Sequence, residues 1–161
     1  MKWILACGLV LFYSVSSAQI FGKVVGVKDG DTVVLLLEGN VQKTIRLADV
    51  DCPESGQSFG KNAKKFTSDK VFGKKVKLIE AGKDRWGRTI GEIYYGKFYL
   101  SAEIIKAGYG WWYQQYSKKN ELKALQVKAK NQKIGLWQEK NPVSPWEYRK
   151  LKREKSKKSK V

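Results

Sequence analysis

The chain has 161 residues, with 32 Lys and Arg against 15 Asp and Glu, a formal charge of +17, two cysteines and no histidine. That length bounds one domain with a modest core, and the charge points to polyanions, with nucleic acid first and anionic membranes or cell-wall polymers behind it. The absence of imidazole excludes Ser-His-Asp and Cys-His nucleophilic sites, histidine bases and histidine zinc sites, so any hydrolysis must run on carboxylates, arginines, lysines or a hard metal.

Residues 1–18 read as a secretory signal: Lys2 is a positive n-region, Trp3 to Tyr13 an apolar run, and Ser16-Ser17-Ala18 a small-residue cleavage site before Gln19. The apolar run is too short to span a bilayer, and no other stretch approaches the roughly 20 residues a membrane helix needs. An exported protein, periplasmic or secreted and without stable membrane insertion, is expected. Leu5-Ala6-Cys7 sits too early to be a lipid-attachment site. Cleavage near Ala18 leaves Cys52 as the one remaining cysteine, so the mature chain has no internal disulfide and its thiol is either buried or reactive.

From Phe21 the chain reads as short β-branched runs broken by turns. Phe21–Val27, Thr32–Leu37 and Lys43–Val50 form a predicted meander, with turns at Lys28-Asp29-Gly30-Asp31 and Glu38-Gly39-Asn40. A helix is predicted over Phe59–Phe72, with Phe59, Ala63 and Phe66 on one face and Gly73 as its stop. Strands near Lys75–Glu80 and Thr89–Tyr94 follow, then a turn at Tyr95-Gly96-Lys97 and a short helix from Ser101, read as its N-cap, to Gly108. A third helix runs over about Asn120–Asn131, with Leu122, Leu125 and Ala129 inward.

The predicted class is mainly β with α, an α+β arrangement: a five-stranded OB barrel with three helices. An antiparallel sheet packed on helices without closure fits the same string. Residues 19–148 make one domain with an extension over 138–148. Trp137 and Trp146 are expected to pin that extension onto the barrel. Trp111 to Tyr113 are either core or a surface for stacking bases. Residues 149–161 hold eight Lys or Arg between Arg149 and Lys160 against Glu154 alone. They read as a disordered basic tail, either solubilising or a non-specific nucleic-acid arm.

Acidic residues are scarce, so their placement is informative. Asp29 and Asp31 flank Gly30 at the first turn, and Asp49, Asp51 and Glu54 cluster after the third strand. If the first and third strands both neighbour the second, these carboxylates converge at one end of the sheet, where oxygen ligands suit Ca²⁺ or Mg²⁺. Asp-Gly-Asp also makes a good turn on backbone grounds alone. Arg46 lies on the third strand, where period-2 alternation puts Ala48 and Val50 on its own face, and Arg88 closes the turn Asp84-Arg85-Trp86-Gly87-Arg88. Arginines beside a metal and a carboxylate make a phosphoryl-transfer site, because a guanidinium forks onto two phosphate oxygens.

Asp29-Gly30-Asp31-Thr32, Ile45 to Ala48, Asp51-Cys52-Pro53-Glu54, Phe59-Gly60 with Ala63, Asp84 to Arg88, and Gly135-Leu136-Trp137 together resemble the staphylococcal nuclease (thermonuclease) family in order and spacing. The resemblance implies an OB barrel with three helices and a Ca²⁺-dependent endonuclease, acting as a monomer on DNA and RNA and leaving 3′-phosphate ends. It further implies that Asp31, Asp51 and the backbone carbonyl of Cys52 bind Ca²⁺, that Glu54 positions or deprotonates the attacking water, and that Arg46 and Arg88 grip the scissile phosphate. Arg85, Trp86 and Tyr116 match substrate-binding positions. Cys52 replaces a frequent threonine and Trp86 a frequent tyrosine, and the Glu54–Phe59 loop is shorter than that of the best-known secreted member. The alternative is a non-catalytic OB module binding single strands, which needs lysines and aromatics but has no use for Asp31, Asp51, Glu54, Arg46 and Arg88 together.

Overall fold

The computed structural model describes residues 19–159, so the expected signal segment, Cys7 included, lies outside the described residues. Strands β1 (Ile20–Asp29), β2 (Thr32–Leu36) and β3 (Gln42–Leu47) form the meander, and β4 (Val50–Asp51) precedes helix α1 (Gly60–Val71). Strands β5 (Lys75–Lys83), β6 (Thr89–Tyr95) and β7 (Phe98–Tyr99) lead into α2 (Leu100–Lys106), β8 (Trp111–Trp112) and α3 (Asn120–Asn131). A 3₁₀ turn at Gly135–Gln138 and helix α4 (Pro145–Lys158) complete the described chain.

The five long strands pair antiparallel as β3-β2-β1-β5-β6, and β3 returns parallel to β6 through Ile45↔Thr89 and Leu47↔Gly91, which closes the barrel. Closure decides between the two architectures open in the sequence, in favour of the OB barrel. Alternation in β2 and β3 sends Val33, Leu35, Ile45 and Leu47 inward to meet Val24, Leu78 and Ile93. Helices α1, through Ala63 and Val71, and α2, through Leu100, Ile104 and Ile105, bury their apolar faces on the same core.

The structure departs from the sequence reading in four places. The third strand stops at Leu47, because Asp49 adopts a left-handed backbone with φ of +67°, and the chain resumes as β4 paired antiparallel to β8. Ser101 is not an N-cap: Tyr99 holds that position, and the buried Ser101 hydroxyl donates to the Ala48 carbonyl at 2.8 Å, fastening the same bend. There are four α-helices among the described residues rather than three. The basic segment from Arg149, expected as a disordered tail, continues α4 to Lys158.

Helix α4 starts at a capping box. Ser144 accepts from the Glu147 amide while Glu147 accepts from the Ser144 amide, and Pro145 stands in the first turn where no amide donor is missed. Trp146 packs its ring 5.5 Å from Trp111 and lies nearly parallel to Tyr113 at 5.8 Å, while Trp137 meets Trp111 at 4.4 Å. The extension is therefore held against β8 by stacked aromatics. No helix among the described residues is long and apolar enough to cross a membrane.

Candidate active site

Three segments meet at one mouth of the barrel: the β1–β2 turn, the β3–β4 bend and the loop before α1. Within the first, Asp29 accepts from the Asp31 amide at 3.2 Å, a local bond that tightens the turn. Gly30 is demanded by close approach, since a Cβ there would lie 2.7 Å from that of Cys52 and 2.8 Å from that of Ala63. Its carbonyl accepts from the buried Thr67 hydroxyl at 2.6 Å, which clamps the turn to α1. The Cys52 amide donates to Asp31 Oδ2 at 2.6 Å and joins the first segment to the second.

The loop carrying Glu54 is equally constrained. The Gln57 amide donates to the Glu54 carbonyl at 2.8 Å, and the Gln57 side chain accepts from the Glu54 amide at 3.2 Å. A Cβ at Gly60 would fall 1.9 Å from the Glu54 carbonyl oxygen, so no other residue lets the loop lie against the helix start in this way.

Arg46 is the centre of the site. Its Nη2 lies 2.8 Å from Asp51 Oδ1 and 3.3 Å from Asp31 Oδ2, while Nη1 donates to the carbonyls of Leu47 at 2.7 Å and Val50 at 2.8 Å. The β3–β4 bend makes this possible, because it curls Leu47 to Val50 around the guanidinium and ends the simple alternation expected through Ala48 and Val50. Burial works against the charge of Arg46, but Asp31 and Asp51 outweigh it and hold its pKa above the ordinary value.

A second guanidinium, absent from the sequence reading of the site, arrives from α4. Arg149 Nη2 donates to Asp51 Oδ2 at 2.7 Å, and Nη1 to Glu54 Oε1 at 2.8 Å and to Asp51 Oδ1 at 3.3 Å. Burial opposes its charge too, yet the bonds from Asp51 and Glu54 leave its pKa raised. The Ser144-Pro145-x-Glu147 capping signal was present in the sequence and marks the helix that delivers Arg149.

Asp31, Asp51, Glu54 and Arg46 are thus gathered at one mouth, with Cys52 between them. Asp49, grouped with these carboxylates in sequence, points elsewhere: the Tyr99 hydroxyl donates to it at 2.7 Å, and Lys119 pairs with it at 3.0 Å and with Glu92 at 2.5 Å. Arg88 is held in its own turn, with Nε donating to Asp84 Oδ2 at 2.6 Å. The exposed Trp86 ring has the Arg85 guanidinium 4.1 Å and the Arg88 guanidinium 5.3 Å from its centroid. Tyr116 is largely exposed and packs edge-on against Tyr113 at 4.7 Å, next to Trp146. The Cys52 thiol is buried, and burial pushes its pKa well up, with Asp31 adding to the effect.

Among the described residues, no three Asp, Glu or Cys side chains close on one point as a ligand set. The donor chemistry still suits a hard divalent ion, because the gathered groups are carboxylate oxygens with short, fixed backbones. Burial raises the Asp31 carboxyl to about 7, with Asp29 and Asp51 adding to the rise and Arg46 opposing it. Asp31 and Asp51 are met by Arg46, and Asp51 and Glu54 by Arg149, so a divalent ion here would take carboxylate oxygens that the two guanidinium groups now hold.

The family described as staphylococcal nuclease homologue matches residues 44–139, which include Arg46, Asp51, Cys52, Glu54, Arg85, Trp86, Arg88 and Tyr116 and stop short of α4. An uncharacterized endonuclease of Haemophilus influenzae is 41% identical over 150 residues, spanning 91% of this chain and 84% of that protein. The micrococcal nuclease of Shigella flexneri is 35% identical over 156 residues, 89% of each chain. A staphylococcal-like nuclease of Arabidopsis thaliana is 38% identical over 109 residues, 68% of this chain and 34% of the plant protein.

Proposed function

Since the chain belongs to the staphylococcal nuclease family, we propose that it is an exported, monomeric endonuclease that hydrolyses phosphodiester bonds of DNA and RNA with Ca²⁺ and leaves 3′-phosphate ends. The observation that carries this reading is Arg46, bonded at once to Asp51 and Asp31 at the barrel mouth beside Glu54. A binding module gains nothing from burying two carboxylates around one arginine, since each buried charge is costly unless paired.

Asp31, Asp51 and the Cys52 carbonyl would hold the ion, which when bound supplies positive charge to stabilise the phosphate as negative charge builds on its oxygens. Glu54 orients a water molecule and accepts its proton, and its exposed carboxylate has room for both tasks. Arg46 would turn Nη2 to a phosphate oxygen once the ion takes Asp31 and Asp51 from it, and Arg88 would exchange its Asp84 partner for the same phosphate. Arg85 and Trp86 flank the substrate on the neighbouring turn, where Trp86 gives a base or sugar a stacking surface, and Tyr116 supplies a second. The charge of +17 steers the polyanion in, and the signal-like residues 1–18 support export to calcium-rich surroundings.

Digestion of plasmid and single-stranded DNA and of RNA by the mature chain, with Ca²⁺ or with chelator, tests the reading. Cutting only with Ca²⁺, with 3′-phosphate product ends, is expected, whereas undiminished cutting in chelator refutes the metal requirement.

A further inference from the structure

Arg149 reaches the carboxylates from outside the barrel. Its helix is anchored just upstream, where the Tyr148 hydroxyl donates to the Gly56 carbonyl at 3.1 Å, the Gln57 side chain donates to the Val143 carbonyl at 2.5 Å, and Trp146 stacks on Tyr113. Downstream, residues 150–159 are exposed throughout. Arg149 is therefore the last fixed point of α4. It is fixed to groups proposed to serve the reaction: both oxygens of Asp51, whose side chain is 2% exposed, and Oε1 of Glu54.

We infer that Arg149 is a tethered counter-cation that occupies the Asp51–Glu54 pair and must withdraw for a divalent ion to bind, so that docking of α4 at this point and cation binding exclude each other. This inference rests on the proposed metal requirement. A hard divalent ion takes carboxylate oxygens at about 2.0–2.6 Å. With a guanidinium already forked onto both Asp51 oxygens, the two cations would share one carboxylate in a partly buried site, where like charges repel with little screening. A guanidinium can stand in for the ion electrostatically, because it carries positive charge to the same oxygens and spares Asp51 an unpaired buried state. It cannot stand in chemically, since a guanidinium offers no open coordination position to a phosphate oxygen, and its bond to Oε1 ties up the Glu54 carboxylate that would accept the proton.

The linkage is reciprocal. Whatever the Arg149 contact costs the incoming ion, the ion costs the docking of α4. Binding of Ca²⁺ would free Arg149 and release the basic second half of the helix, with Lys150, Lys152 and Arg153 near the site just when polyanionic substrate is to be engaged.

The test uses the mature full chain and the variant Arg149→Met, which keeps the apolar stem and drops the charge. Calorimetric titration with Ca²⁺, checked by Tb³⁺ luminescence, is expected to show affinity on the order of tenfold higher in the variant, the scale of coupling between two events that share a site. In the wild-type chain, Ca²⁺ is expected to speed hydrogen exchange of the α4 amides, residues 146–158, and to leave the barrel strands protected. Equal or weaker Ca²⁺ binding by the variant, or α4 amides that slow with Ca²⁺, overturns the competition while the metal requirement stands. If neither chain binds Ca²⁺ and digestion runs in chelator, the metal requirement itself fails and the competition falls with it.

Discussion

The backbone amide of Cys52 donates to Asp31 Oδ2 at 2.6 Å, linking two turns that are 21 residues apart in sequence. Asp31 is fixed by this bond and by the Arg46 contact at 3.3 Å, yet its burial raises the carboxyl to about 7 from an ordinary 3.8. A folded-state pKa above the unfolded one means that the native chain holds the extra proton more tightly, so stability is greatest below the unfolded value and is lost as pH rises through about 7. In chelator, the melting temperature should therefore fall between pH 5 and pH 8 more steeply in the wild type than in Asp31→Asn, which keeps the amide bond and cannot ionise. Parallel profiles in the two proteins would show that Asp31 does not carry the pH dependence.

Arg46→Ala should cost about 3–5 kcal/mol of stability, because it leaves buried Asp31 without its cation and buried Asp51 with Arg149 alone. Arg46→Lys should recover only part of this, since an ammonium cannot fork onto two carboxylates and two carbonyls. Chemical denaturation in chelator measures both.

Replacing Glu54 by Gln should lower turnover by about 10²–10⁴-fold, the usual contribution of a positioned general base. Stability should barely move, because the carboxylate is 43% exposed. Steady-state digestion of an oligonucleotide, set beside a melting curve, separates the two effects; unchanged turnover would remove Glu54 from the chemistry.

Trp86→Ala should leave the fold intact and weaken substrate binding by about 1–3 kcal/mol, the worth of one stacked base. Trp86 is 67% exposed, with the Arg85 and Arg88 guanidinium groups over its ring. Binding of a single-stranded oligonucleotide in chelator, followed by fluorescence anisotropy, reads this without turnover.

Cys52 should resist thiol reagents in the native state, because its sulfur is buried and burial disfavours the thiolate. Labelling with a disulfide reagent should occur only after denaturant is added. Rapid labelling of the native chain would mean that the β3–β4 segment opens readily.

The barrel was legible because its signals are local: β-branched runs such as Thr32–Leu36, apolar spacing along α1 and turn residues between strands all point the same way. Arg46, Asp31, Asp51 and Glu54 could be grouped from the meander alone, since β2 lies between β1 and β3. What escaped notice was set by contacts distant in sequence. Asp49 is turned away by a left-handed backbone that nothing in Ala48-Asp49-Val50 announces, and Tyr99 and Lys119 then hold it. Gly30 looked like a turn glycine, and its tight fit against Cys52 and Ala63 shows only once α1 is in place. Arg149 was obscured by its neighbours, because a lysine-rich run looks like solvated chain and the helix it sits on is founded on aromatic packing further upstream.

The parallel pairing of β3 with β6 has a further consequence. Over Ile45–Leu47 and Thr89–Gly91 it occupies backbone amides and carbonyls that would otherwise be open to another molecule. Closure leaves only short free margins on the sheet among the described residues, so crowding should drive little intermolecular strand addition. With Cys52 unbridged and no disulfide to reshuffle among the described residues, loss of the native state on heating should be recoverable on cooling, even at concentrations where open sheets precipitate.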